Sequence, residues 1–206
     1  MAKKLGKVRK PSAKIFEKGR KLLFLPLVFS TEEPEPELTK RLDEYWKQAR
    51  LQIEKLEAGL AKVSKIYHEL VSDAEKEGVK AMEEMDTGSK DIVKGYIQRG
   101  AEFYPVEERS LLSEFIDWNR CLSIGLLSRR ALEQVQQAYN DVQCRRQERI
   151  AKIVNETLKG DEVGMLVMRE GCDIQFPPDI QVFFISPPAL DEVKKWFAEN
   201  RYAYGQ

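Results

Sequence analysis

The sequence is poor in the residues that most catalytic centres need. It contains one histidine, His68, in 206 residues. A Ser-His-Asp or Cys-His system would have to use that residue, and no multi-histidine metal site can form. Glycine-rich phosphate loops are lacking too, because neither Gly-x-x-x-x-Gly-Lys nor Gly-x-Gly-x-x-Gly occurs. These absences remove many enzyme classes, and we expect the chain to lack an intact catalytic centre.

Cysteine motifs and long apolar runs are also lacking. The three cysteines, Cys121, Cys144 and Cys172, include no Cys-x-x-Cys pair and no zinc-ligand spacing, which predicts free thiols in a reducing compartment, the cytoplasm. The longest apolar run, residues 22–29, is interrupted by Pro26 and is far shorter than the roughly 20 residues of a membrane span. No small-residue cleavage site follows it, so we expect neither a membrane anchor nor a signal peptide.

The chain has no net charge, because its 34 basic and 34 acidic residues cancel. The whole molecule therefore has no field that attracts nucleic acid or an anionic membrane. Residues 1–21 depart from this balance, with nine lysines and arginines against one acid, Glu17. We interpret residues 1–21 as a basic N-terminal arm and residues 22–206 as a single α/β domain. The candidate nucleic-acid contacts in the arm are Lys3, Lys4, Lys7, Arg9 and Lys10.

The order of strand-like and helical segments predicts the fold class. Residues 63–71 fit either a continued helix or a strand, and their β-favouring residues favour the strand. Alternating strands and helices indicate an α/β fold that is helix-rich, with a mainly parallel sheet of about four or five short strands covered by helices. Apolar runs predict the other strands at residues 22–29, 100–106, 163–168 and 180–185. Apolar steps of three and four predict long helices near residues 37–60 and 128–158, with shorter ones within 73–99, 111–118 and 190–197.

Five residues are candidates for a cleft at the strand ends, where α/β folds bind ligands: His68, Glu69, Glu107, Arg146 and Cys172. Two carboxylates suit acid–base chemistry or a hard divalent metal ion, an arginine suits an anion, and a cysteine suits nucleophilic attack. Each also has a simpler interpretation. The histidine is then a partly buried or exposed imidazole, Glu107 complements the positive start of a helix, Arg146 lies on a solvated helix surface, and Cys172 is an ordinary thiol.

A distant resemblance adds an expectation about chemistry. Residues 66–70, Ile-Tyr-His-Glu-Leu, and residues 146–151, Arg-Gln-Glu-Arg-Ile-Ala, resemble motifs of the TraB/ChaN-like group of α/β proteins, over most of residues 22–186. For that group, hydrolase or metal-dependent protease activity has been proposed. The first turn of this chain has Phe29 about where the group has a histidine, and the strand-end motif over residues 169–172 has Cys172. The resemblance therefore implies a related scaffold without the histidines.

Three functions follow as hypotheses. The first is a non-catalytic binding or regulatory protein on an enzyme-like scaffold, with an unidentified protein or small-molecule partner. The second is a carboxylate- and metal-dependent hydrolase in which Glu69 and Glu107 hold a divalent ion and His68 assists. The third is a nucleic-acid-binding or ribosome-associated protein that uses the basic arm to neutralise phosphates. The residues themselves predict no cofactor and no complete set of metal ligands.

Overall fold

The computed structural model describes residues 19–30, 34–72, 80, 88–171 and 173–200. Within these residues the chain forms five strands and five helices. The strands are β1 (Arg20–Pro26), β2 (Val63–His68), β3 (Glu102–Pro105), β4 (Val163–Met168) and β5 (Ile180–Phe184). The helices are α1 (Pro36–Glu57), α2 (Ser89–Gln98), α3 (Arg109–Ser123), α4 (Arg129–Thr157) and α5 (Pro188–Glu199).

The five strands form one parallel sheet in the order β3-β2-β4-β1-β5. This confirms the predicted α/β class with a mainly parallel sheet. Residues 63–68 are a strand, as their β-favouring composition indicates, and the two long helices lie where the apolar periodicity predicts them. All six residues of β4 are buried, as expected for a central parallel strand that is covered on both faces.

Helices cover the two faces of the sheet unequally. On one face, α1, α2 and α5 pack against strand residues such as Leu23, Ile66 and Val167. On the other face, the second half of α4 packs against alternate residues, including Phe24 and Leu166. This division follows from the strand geometry, because successive side chains point to opposite sides.

The predicted arm and the sheet overlap at the start of β1. Arg20 belongs to that strand, and its guanidinium bonds the Asp179 carboxylate at 2.7 Å and the Asn155 carbonyl at 2.7 Å. Lys21 is buried. Strand β1 therefore begins two residues before Leu22, the first residue of the predicted domain. The candidate nucleic-acid contacts Lys3, Lys4, Lys7, Arg9 and Lys10 lie outside the described residues.

Candidate functional site

The carboxyl ends of three neighbouring strands bring four charged residues together. Glu69 directly follows β2, Glu107 follows β3 by two residues, and Arg169 directly follows β4. These strands are adjacent in the order β3-β2-β4, so their ends lie along the same edge. Arg146 reaches this edge from α4, which crosses the sheet face. We call Glu69, Glu107, Arg146 and Arg169 the charge cluster.

Arg146 connects the two carboxylates of the charge cluster. Its Nε donates to Glu107 Oε2 at 3.0 Å, and its Nη2 donates to Glu107 Oε1. The same Nη2 also donates to Glu69 Oε1 at 3.4 Å, while Nη1 donates to Gln143 Oε1 at 2.9 Å. The contact with Glu107 is the two-point fork that guanidinium and carboxylate groups favour.

Arg169 is the second cation on Glu69. Its backbone N–H donates to Glu69 Oε2 at 2.8 Å, and its Nη2 donates to Glu69 Oε1 at 2.8 Å. The ring of Phe115 in α3 lies 3.9 Å from the guanidinium carbon of Arg146 and 5.4 Å from that of Arg169. This aromatic face adds a cation–π contact to both arginines.

The cluster is buried and formally neutral, with two carboxylates and two guanidinium groups. The side chains of Glu69, Glu107 and Arg146 are at most 1 % exposed, whereas that of Arg169 is 35 % exposed. Burial by itself raises the pKa of Glu69, but the hydrogen bonds and positive charge of Arg169 and Arg146 outweigh it and lower the pKa below its usual range. Glu69 is therefore a carboxylate at neutral pH, with both oxygens engaged by cationic groups.

The charge cluster also holds the backbone at Leu70 and Val71, directly after Glu69. Leu70 has a φ of 67°, a left-handed conformation that costs a residue with a Cβ about 1–2 kcal/mol. Its N–H donates to Glu107 Oε1 at 3.3 Å, and the Glu107 N–H donates to the Val71 carbonyl at 3.3 Å. Glu107 thereby fixes the turn that leaves β2.

His68 does not join the charge cluster, which corrects the prediction that groups it with Glu69. As the preceding residue in the chain it points to the opposite face of the sheet, where Nε2 lies 3.4 Å from Ser89 Oγ. Its Nδ1 is 2.6 Å from the Glu69 carbonyl oxygen, so Nδ1–H is the donor there. His68 is fully buried, and this burial lowers its pKa to about 4.

A pH titration of stability tests the buried, neutral state of His68. The folded pKa is about 4 and the unfolded pKa about 6.5, so the unfolded chain binds the extra proton and stability falls as pH drops through this interval. We expect the free energy of unfolding to fall by about 2 kcal/mol from about pH 7 to pH 5. Urea unfolding at several pH values measures it.

His68→Gln is the control for this titration. His68 is the only histidine, so the variant should lose most of the pH dependence in this interval. If His68→Gln loses as much unfolding free energy over this pH interval as the wild type does, the pH dependence belongs to other titratable groups.

Two further arginines of α4, Arg145 and Arg149, pair with glutamates in and just before α3. Arg145 Nη2 bonds Glu114 Oε2 at 2.6 Å, and Arg149 Nη1 lies 3.6 Å from Glu108 Oε2. The sequence allowed two interpretations of Arg146, a site for a bound anion or a solvated helix surface. Arg146 fits neither, because it is buried and bonds two glutamates of the chain itself. Three arginine–glutamate pairs, including Arg146–Glu107, instead connect α4 to the segment that begins α3.

The structure brings together Glu69, Glu107 and Arg146 of the five candidate residues, while Cys172 lies outside the described residues. Arg169 was missed by the sequence analysis, although it follows a buried strand directly, as Glu69 does. This position at a strand end could have identified Arg169 as a candidate residue from the sequence. In the part of the chain that the structure describes, no group of three His, Cys, Asp or Glu side chains is placed to hold a metal ion.

Comparison with known protein families, with characterised proteins and with solved structures gives no match to this chain. The TraB/ChaN-like resemblance therefore stays a prediction that rests on the residues quoted for it. Among the described helices, none has the length and apolar character needed to cross a membrane.

Proposed function

We propose that the protein is a cytoplasmic, non-catalytic binding or regulatory protein on an enzyme-like α/β scaffold. The observation that carries this proposal is the pairing of both candidate carboxylates with arginines in a buried, neutral cluster. A general acid or base must reach its substrate, and a divalent ion needs oxygen ligands that are not already held by cations. Glu69 and Glu107 meet neither condition while Arg146 and Arg169 hold them.

A surface suited to a protein partner supports the binding part of the proposal. Ile124 and Leu127 lie at the turn between α3 and α4 and are among the most exposed large apolar side chains of the described residues. Neighbouring exposed apolar residues mark interaction surfaces in many proteins. In this proposal a protein partner docks at this turn. The charge cluster holds α3 and α4 in place, because Arg146 of α4 bonds Glu107, which lies just before α3.

Metal analysis and a hydrolysis assay separate this proposal from the carboxylate-dependent hydrolase. We expect the purified full-length protein to carry no stoichiometric Mn, Co or Zn, and to hydrolyse neither p-nitrophenyl acetate nor a fluorogenic casein peptide faster than buffer does. Glu69→Gln should leave both results unchanged. Glu108→Gln is the matched control, since Glu108 is the exposed neighbour of Glu107. A stoichiometric metal ion that Glu69→Gln removes and Glu108→Gln retains would refute the proposal.

Nucleic-acid binding by the basic arm is a second candidate, favoured by the seven lysines and arginines against one acid that precede β1 in residues 1–19. Each neutralised phosphate releases counterions, so such binding would weaken steeply as salt rises. Failure of the full-length protein to bind duplex DNA or RNA at about 50 mM salt, where phosphate contacts are strong, would exclude it.

A further inference from the structure

A helical hairpin extends from the domain beyond the residues that contact the sheet. None of residues 116–141 is buried, a stretch that the structure describes throughout. The buried residues of α4 begin only at Val142, its 14th residue, and extend to Val154, and Phe115 is the buried residue of α3. The 29 residues of α4 span about 43 Å, whereas the six residues of β4 span about 20 Å. We call residues 109–141 the hairpin.

The hairpin carries more apolar side chains than its two helices bury against each other. Ile116 and Leu132 are about two-fifths exposed, Ile124 is 71 % exposed and Leu127 is fully exposed. Two helices cover only one side of each other, so many apolar groups of an isolated pair stay in contact with water. Further apolar residues of the hairpin are half-buried, among them Leu122, Leu126, Val135 and Tyr139.

The charges of the hairpin favour a partner that is itself neutral. Residues 109–141 contain four arginines and four acids, and some of these pair within a helix, as Arg129 does with Glu133 at 2.9 Å. A surface without net charge gains no attraction from an anionic membrane or a nucleic acid. It also does not repel a second copy of itself. The acids and arginines are Glu114, Asp117, Glu133, Asp141, Arg109, Arg120, Arg129 and Arg130.

The size of the hairpin fits a weak homodimer. Fifteen residues of helix are about 22 Å long, and two helices side by side are about 20 Å wide. Two such faces in contact would bury roughly 1,000 Å² in total, the lower limit for a specific interface. Two antiparallel helix pairs brought together also form a four-helix bundle, the arrangement that encloses apolar seams of this kind.

We propose that two copies of the chain dimerise through the hairpin, their α3 and α4 helices forming a four-helix bundle with Leu132 inside it and Leu127 in the contact at its end. This inference rests on the proposed binding function and names its partner. It concerns a surface outside the charge cluster, so its failure is distinguishable from that of the proposed function. A metal-free, inactive monomer would contradict the dimer alone.

Sedimentation velocity of the full-length protein from about 1 to about 100 µM tests the dimer. We expect a reversible monomer–dimer equilibrium with a dissociation constant in the micromolar range. Leu127→Glu and Leu132→Glu should each weaken it by about tenfold or more, because each places a charge in an apolar contact. Leu51→Glu is the matched control, since Leu51 is 47 % exposed on α1, on the other face of the sheet, and should leave the equilibrium unchanged.

Circular dichroism establishes that the three variants fold, as their exposed positions predict. A protein that is monomeric at about 100 µM, or a dimer that Leu127→Glu and Leu132→Glu leave intact, would overturn the proposal. Co-sedimentation with vesicles of phosphatidylserine and phosphatidylcholine is the companion measurement, and we expect none. Vesicle binding by a monomer that Leu127→Glu abolishes would assign the hairpin to a lipid surface instead.

Discussion

Arg146→Ala is expected to destabilise the protein by about 3–5 kcal/mol, because it leaves the buried Glu107 carboxylate without its cation. Glu107 would lose both bonds to the guanidinium, and Glu69 would keep only Arg169. Phe115 would also lose the closer of its two cation–π partners. Urea unfolding followed by circular dichroism measures the change in the free energy of unfolding.

Arg149→Ala is the control for this prediction, because it removes an arginine from the same helix. The Arg149 side chain is 40 % exposed and lies 3.6 Å from Glu108, a surface pair of the kind that contributes at most about 1 kcal/mol. Arg146→Lys should fall between the two, since lysine keeps the charge and loses the fork. If Arg146→Ala and Arg149→Ala lower the free energy of unfolding equally, the charge cluster does not stabilise the strand ends as proposed.

Val167→Asp is expected to prevent folding. Val167 is fully buried in the central strand β4, among apolar residues of the cluster that α1, α2 and α5 cover. An unpaired carboxylate there would cost several kcal/mol, which is comparable with the roughly 5–15 kcal/mol that stabilise a typical domain. Expression of the variant, with a thermal melt of any soluble fraction, measures the result.

Phe183→Asp should be milder, although residues 163–168 and 180–185 are both continuous apolar runs, which are typical of strands buried on both faces. Phe183 is half-buried in β5, a strand at the edge of the sheet, so a carboxylate there can reach water. We expect a folded variant with a lowered melting temperature. A soluble Val167→Asp variant that unfolds cooperatively would show that β4 is not enclosed on both faces.

Part of the candidate site follows from the sequence through the position of strand ends. Glu69 and Glu107 come after segments that read as strands, and parallel strands end at the same edge of a sheet, so their proximity was predictable. Arg146 was included through a motif on a long helix. The pairing itself was not predictable, because Arg146 is 39 residues from Glu107 and 77 from Glu69 in the chain.

The prediction for His68 was wrong for a reason of strand geometry. Its proximity to Glu69 in the chain suggested a shared cleft, but adjacent residues at the end of a strand face opposite sides of the sheet. A proposed metal centre that uses both residues would have to span the sheet. The side of the sheet that each residue faces can be read from the sequence only once the bounds of the strand and its two buried faces are known.

The sequence by itself determined the class of this fold, because apolar periodicity and continuous apolar runs are local properties that select helices and buried parallel strands. Only the tertiary structure decided what the charged residues do. The packing of α4 on the sheet places the Arg146 guanidinium against both glutamates, and the excess length of α4 over the strands carries the hairpin out of the core. Both outcomes depend on distances between elements far apart in the chain, which no local pattern of residues encodes.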